Sequence, residues 1–361
     1  MKKIILLVIF IYLFIRCSKQ KELPPPVEEP SAFSVSLVAF GDNLIHETVY
    51  RAAKTGNTYD FSSMFLEISA YLDNFDLRFI NQETILGGKE LGLSTYPTFN
   101  SPQELGDDLV AAGFNLISLA NNHTLDRGEQ AVINSVKFWE SKGVIYSGSA
   151  ISPTQSQVKQ FAKNNISFAF VAYTYGTNGI PHPEGKTHLA NIYSDIKAKK
   201  DLENLNEEVD ILIVSMHWGE EYQNLPNETQ LNQARFLSDL GVDIIIGHHP
   251  HVIQPVDILE NKQGEKTLVI YSLGNFLSDQ VGIDRLIGMG VYLDIVKEID
   301  GKIHLKNIGA KLLYRYKNYN DNSFRVLLFQ NVNEYFLKDY QRYFEEKKEL
   351  IKYYYPDIYV S

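Results

Sequence analysis

Five short segments place acidic, amide and imidazole side chains directly after apolar runs. In Phe40-Gly41-Asp42-Asn43-Leu44-Ile45-His46 a carboxylate stands at the tip of an apolar run, and Gly41 lets backbone approach a ligand closely. Phe79-Ile80-Asn81-Gln82-Glu83-Thr84 ends another run in two amides and a carboxylate. Ala120-Asn121-Asn122-His123-Thr124-Leu125-Asp126-Arg127-Gly128 offers a neutral oxygen ligand next to an imidazole. Asp126 has two roles open to it: orienting His123, or capping the helix that follows. Met216-His217-Trp218-Gly219-Glu220-Glu221-Tyr222 sets a histidine beside an aromatic wall. Gly247-His248-His249-Pro250-His251 is the strongest signal, because three histidines in four positions do not suit core packing. Imidazole is a ligand for zinc, iron, manganese and nickel.

Singly, each segment has an ordinary explanation. A lone histidine at a strand end is usually structural, and a glutamate after a strand is usually solvated. Together they supply Asp, Glu, Asn and His from five separate strand ends. That is the donor set of a mixed oxygen and nitrogen site for one or two divalent ions.

The elements that must position these groups are legible in the periodicity. Continuous apolar runs predict buried strands at Val35–Phe40, Leu77–Asn81, Leu116–Ala120, Ser167–Ala172, Ile211–Met216, Asp243–Gly247 and Leu268–Ser272. Helical spacing predicts helices at Ser62–Asn74, Pro102–Ala112, Gly128–Lys142, Tyr193–Asn206 and Glu228–Leu240. Strand and helix alternate, which predicts an α/β sandwich with its ligands at strand ends. Gly290–Val296 and Lys302–Lys306 read as a hairpin around Asp300-Gly301. Phe336–Lys352 reads as a charged, tyrosine-rich helix, so the tail is an appendage to one core rather than a second domain.

The net charge of the 361-residue chain is −10, from 34 basic and 44 acidic residues. That balance argues against sequence-independent binding to nucleic acid, which needs lysine and arginine against phosphate. Cys17 is the single cysteine, so neither an intrachain disulfide nor a thiolate metal site can form. It follows a basic start, Met1-Lys2-Lys3, and an apolar run from Ile4 to Ile15 that is short for a membrane span. A proline-rich stretch, Leu23-Pro24-Pro25-Pro26-Val27-Glu28-Glu29-Pro30, reads as an extended spacer. The arrangement resembles a bacterial lipoprotein signal, with Cys17 as the lipidated residue and Arg16 in place of the usual small residue before it. The expected organisation is a signal peptide over 1–17, a tether over 18–33, a catalytic domain over 34–300 and a strand and helix extension over 301–361. The expected location is the bacterial cell envelope, anchored to the membrane by lipid.

The five segments, in this order, resemble the CapA family of poly-γ-glutamate capsule synthesis, which is related to calcineurin-like metallophosphoesterases. Thr98-Phe99-Asn100-Ser101-Pro102 and Tyr271-Ser272-Leu273-Gly274-Asn275-Phe276 add to the resemblance, which runs from about Ser34 to Val296. It implies a four-layer αββα sandwich with a small C-terminal appendage, and one or two divalent ions (Mn, Zn, Fe or Mg). It implies Asp42, Glu83, Asn122, His217, His249 and His251 as metal ligands, with His248 an alternative because the register of that motif is ambiguous. His123 takes the role of general acid, with Asp126 beside it. Tyr222 and Asn275 are expected at the substrate. Two departures bear on metal number: position 44 is leucine where the wider superfamily has a histidine, for which His46 is the candidate substitute, and Glu83 replaces an aspartate. The implied activity is hydrolysis of a phosphoester or related bond. The competing reading is an anchored accessory that binds an anionic polymer during export.

Overall fold

The computed structural model describes residues 32–361. Cys17, the leader over 1–17 and all but the last two residues of the tether lie outside that range.

Two sheets carry the molecule. The larger runs, edge to edge, Ser323–Leu328, Ile303–Asn318, Ile287–Glu298, Ala32–Asn43, Leu77–Gln82, Leu116–Ser118 and Ile145–Ser147. The smaller runs Val256–Glu260, Lys266–Ile270, Ile244–His248, Ile211–His217, Ile166–Thr174 and Lys159–Lys163. The strands that carry the candidate groups pair in parallel, so their C-terminal ends lie on one side.

Strand alternation builds the layers. Along Ala32–Asn43, Val35, Leu37 and Ala39 face the other sheet and meet Phe168, Phe170, Ile213 and Ile246. Val38 and Phe40 face outward and lie under Ile68, Leu105, Leu109 and Val136 from the helices. The smaller sheet repeats this: Val214, Met216 and Ile245 pack outward under Ala198, Leu202, Ala234 and Leu237. Both faces of both sheets are therefore covered, which is why the strands are continuous apolar runs. The result is the expected four-layer α/β sandwich.

Several predicted elements differ in detail. Ser62–Asn74 divides into a 3₁₀ turn at Ser62–Met64 and a helix at Leu66–Leu72. Tyr193–Asn206 divides into Asp195–Leu202 and Leu205–Glu208, with Asn204 in a left-handed conformation between them. The strand predicted to reach Ala120 stops at Ser118, which frees the following residues to curl over the sheet. Phe336–Lys352 contracts to a helix at Tyr340–Ile351. The hairpin is longer than predicted, Ile287–Glu298 against Ile303–Asn318, with Gly301 at φ 88° in the turn. Residues after 300 extend the larger sheet. Ile351, Ile358 and Val360 join the core between the sheets, so the extension shares the main domain's packing. Among the described residues no helix is long and apolar enough to cross a membrane.

Gly41 shows how tightly the strand ends are packed. A Cβ there would collide with the carbonyl oxygen of Gly274, to which the Asp42 N–H donates at 2.9 Å. The close approach is thus to a neighbouring chain segment rather than to a ligand. Gly41→Ala should cost about 1–3 kcal/mol by overpacking and shift Asp42 away from its partners. Denaturant titration checks the first effect, and metal binding the second.

Candidate metal centre

Glu83 is the centre of the site. It follows the strand Leu77–Gln82, is fully buried, and neither carboxylate oxygen has a hydrogen-bond partner. Oε1 lies 3.7 Å from Nε2 of His217 and 3.7 Å from Nε2 of His251. That separation is too long for a hydrogen bond. It suits two donors sharing one cation, with ligand bonds of roughly 2 Å each. Donor atoms of Glu83, His249 and His251 all lie within 4.8 Å of one another. Burial drives the Glu83 carboxyl well above the usual range, with Asp42, Glu221 and Asp126 adding to the rise and His251 opposing it. A carboxylate so placed is costly without a positive partner. The donor set therefore fits a divalent cation.

The histidines divide by surroundings. His248 ends the strand Ile244–His248, and its ring stacks on Phe79 with centroids 5.2 Å and planes 10° apart. Neither nitrogen has a hydrogen-bond partner, and burial brings it down to about 4. It is a neutral core histidine, which leaves His249 and His251 as the pair facing Glu83. Both have left-handed backbones, at φ 96° and 58°. Such a conformation costs a residue other than glycine about 1–3 kcal/mol and concentrates at functional sites. Burial, then the neighbouring His251, holds His249 down to about 3, and its Nδ1 has no partner. His217 is held well below its ordinary value by burial and then by His249, His248, His251 and His123. Neutral imidazole is the form that binds a metal.

Asp42, the expected first metal carboxylate, meets two of the other candidates. Oδ1 accepts from Asn81 Nδ2 at 2.8 Å, and Oδ2 faces both the His249 N–H at 3.3 Å and His251 Nδ1 at 3.0 Å. His251 Nδ1 also lies 3.1 Å from Asn275 Oδ1. Two acceptors at Nδ1 place the proton there and turn Nε2 toward Glu83. A carboxylate at Nδ1 sets the tautomer and direction of a ligand histidine. Burial raises the Asp42 carboxyl, but the hydrogen bond and charge of His251 outweigh it, and the net direction is down. Asn275 is likewise occupied: its Nδ2 donates to Gln280 Oε1 at 2.9 Å and to the Arg285 carbonyl at 3.1 Å. It thereby holds its Oδ1 against His251.

Asn122 Oδ1 lies 2.9 Å from His217 Nε2, so the two expected ligands converge. His123 Nδ1 lies 2.7 Å from Asp126 Oδ2, which also accepts the Phe99 N–H at 2.6 Å. Asp126 makes no cap for the helix Gly128–Lys142, so of its two open roles it takes the one at His123. His46 stands apart. Its Nδ1 accepts the Asp279 N–H at 3.2 Å, and its ring meets Phe99 edge-on, with no hydrogen bond to the cluster among the described residues. Tyr222 lies at the rim, 44% exposed, its ring centre 6.3 Å from that of His251. Tyr175 and Asn178 escaped the reading of the sequence. The Tyr175 ring lies 4.8 Å from His249 and parallel to His217, and Asn178 Oδ1 accepts from Asn122 Nδ2 at 3.2 Å. Both lie just past the strand Ile166–Thr174, a sixth strand end whose first residues are apolar or hydroxylic and gave no ligand signal.

Residues 36–280 match the family described as "Bacterial capsule synthesis protein PGA_cap". The chain belongs to that family. Among relatives, it is 29% identical over 275 residues to the capsule biosynthesis protein CapA of Bacillus anthracis, covering 73% of this chain and 64% of that one. It is 34% identical over 175 residues to the PGA biosynthesis protein CapA of Bacillus subtilis, covering 46% and 43%. The matched regions thus span less than two thirds of either relative. Among solved structures, the NAD nucleotidase of Haemophilus influenzae is similar at a TM-score of 0.48 and 12% identity, over 92% of this chain and 58% of that one. Every element of the family match that bears on the site, from Asp42 to Asn275, falls inside 36–280.

Without metal, charge balance at this family's site falls to His251. Burial pulls its pKa down, but Glu83 and Asp42 outweigh burial and push it up to about 9. The folded state then holds a proton that the unfolded chain releases first, so the contribution of His251 to stability is full below about 6.5 and is lost as pH rises through about 9. Thermal denaturation of chelator-treated protein should show that decline, of order 3 kcal/mol. Saturating metal should abolish it, because a ligand histidine is neutral. A stability that rises over the same window contradicts the assignment.

Proposed function

We propose that the chain is an exported, lipid-anchored, metal-dependent hydrolase that cleaves a phosphoester or related bond in capsule or poly-γ-glutamate synthesis. One observation carries the reading: a buried carboxylate without a donor, Glu83, faces three histidines, with the His123–Asp126 pair alongside. Glu83, His249 and His251 would hold the ion, joined by His217 and Asn122. A divalent cation there supplies Lewis acidity and lets water act as nucleophile near neutral pH. With its Nδ1–H held by Asp126, His123 carries a second proton on Nε2, passes that one to the leaving oxygen and is left as neutral imidazole. Tyr175 and Tyr222 wall the approach. The substrate is an anionic polymer or phosphoester. The names of the CapA relatives support the capsule setting, and the basic start, apolar run and Cys17 support export and anchoring.

The test is direct. Purified protein with Mn²⁺ or Zn²⁺ should hydrolyse p-nitrophenyl phosphate or a member of a wider phosphoester and glutamyl panel, and chelation should stop it. Bound metal with no turnover across that panel contradicts hydrolysis and favours the anchored polymer-binding accessory.

A further inference from the structure

Arg285 stands at the rim of the site with no acidic partner. It lies on the short helix Ile283–Leu286, beyond the family match that ends at residue 280. Its guanidinium carbon is 4.6 Å from the centre of the Tyr222 ring, and that ring is next to His251. Among the described residues no carboxylate lies within ion-pair reach of it. Its neighbour Asp284 is bonded by Lys347, and Asp279 is held by Lys317 and Arg315. Tyr222 and Gly282 take up part of this half-buried guanidinium, and a fork of five N–H groups leaves others for an acceptor.

Both halves of the pair are tied to the ligand loop. Tyr222 has a left-handed backbone at φ 67°, and its N–H donates at 2.8 Å to the carbonyl of Pro250, between His249 and His251. Strain of that kind persists where the surroundings enforce it. Arg285 is fixed from the other side, because its carbonyl accepts Asn275 Nδ2, and Asn275 Oδ1 meets His251. A cation at this rim also answers an electrostatic need. The chain carries a net charge of −10, and Glu221 follows Glu220 directly before Tyr222.

We propose that Arg285, braced by Tyr222, is an anion-recognition subsite, so that the preferred substrate carries a second negative group, carboxylate or phosphate, beside the one at the metal. The inference rests on the metal reading of the site and adds the substrate class to it. The guanidinium fork binds either oxyanion in a bidentate manner.

The experiment is calorimetric titration of metal-loaded protein, its metal content confirmed, with inorganic phosphate and with 3-phosphonopropionate, which adds a carboxylate. Wild type should prefer the two-headed anion by about tenfold or more, the worth of one charge-assisted contact. In Arg285→Ala the preference should fall to parity, and Arg285→Lys should restore part of it. An equal preference in wild type and Arg285→Ala overturns the subsite while leaving the metal centre intact. Failure of wild type to bind either anion overturns the reading of the metal centre as a phosphoester site, and the subsite with it.

Discussion

His123→Ala should lower turnover of a phosphoester by about 10²–10⁴-fold, the range for loss of a positioned proton donor, while the protein keeps its metal. The separation of the two effects follows from geometry. His123 spends Nδ1 on Asp126, at 2.7 Å, and lies outside the group of Glu83, His249 and His251 whose donor atoms converge. The loss should therefore fall on kcat, with metal content by elemental analysis unchanged. It should shrink for substrates whose leaving group needs no proton, such as p-nitrophenolate. Equal losses for good and poor leaving groups would contradict the assignment. Asp126→Asn should cost less, because the ring remains but its tautomer is no longer enforced.

Glu83→Gln should weaken metal binding by at least about a hundredfold, beyond the 10–100-fold typical of residues that only orient a ligand. Above about pH 9, where His251 no longer balances the charge, the same substitution should leave metal-free protein as stable as wild type or more so. Both follow from one fact: the Glu83 carboxylate is buried with no donor to either oxygen. An isosteric neutral amide removes the charge that burial penalises. Wild type should therefore gain stability on adding metal, about 2.7 kcal/mol at a hundred times Kd, and Glu83→Gln should gain almost none. His249→Ala should lose metal likewise, without the apo-state benefit. Thermal shifts with and without Mn²⁺ separate these cases. A Glu83→Gln protein that is destabilised without metal and still binds it tightly would contradict the role given to Glu83.

Much of this site was legible in the sequence because its chemistry is carried by strand ends. Asp42, Glu83, His217 and the His248–His251 run each follow a continuous apolar run, and parallel pairing brings those ends to one side. What periodicity does not encode is direction. His248 and His249 are adjacent, yet one stacks on Phe79 inside the sandwich and the other turns into the site. The turn depends on left-handed backbones at His249 and His251, which residue type does not announce. Likewise the donors that occupy Asp42, from Asn81, His249 and His251, come from two other segments. Asp126 was ambiguous because both roles open to it lie within a few residues, and its contacts to His123 and to the Phe99 N–H decide between them. The fold was clearer than its edges. The strands between the sheets were visible as apolar runs, whereas Ile145–Ser147 and Lys159–Lys163 are short, or exposed at a sheet edge, and left no such signal.

The account stands on Glu83 and its histidines sharing one cation. An anomalous difference map from crystals grown with Mn²⁺ measures that directly. The account predicts a peak within roughly 2–2.3 Å of Glu83, of His249 Nδ1 and of His251 Nε2, with Asp42 still bonded to His251. A peak coordinated by Asp42 but not Glu83, or none at all in protein that binds Mn²⁺ in solution, would contradict it.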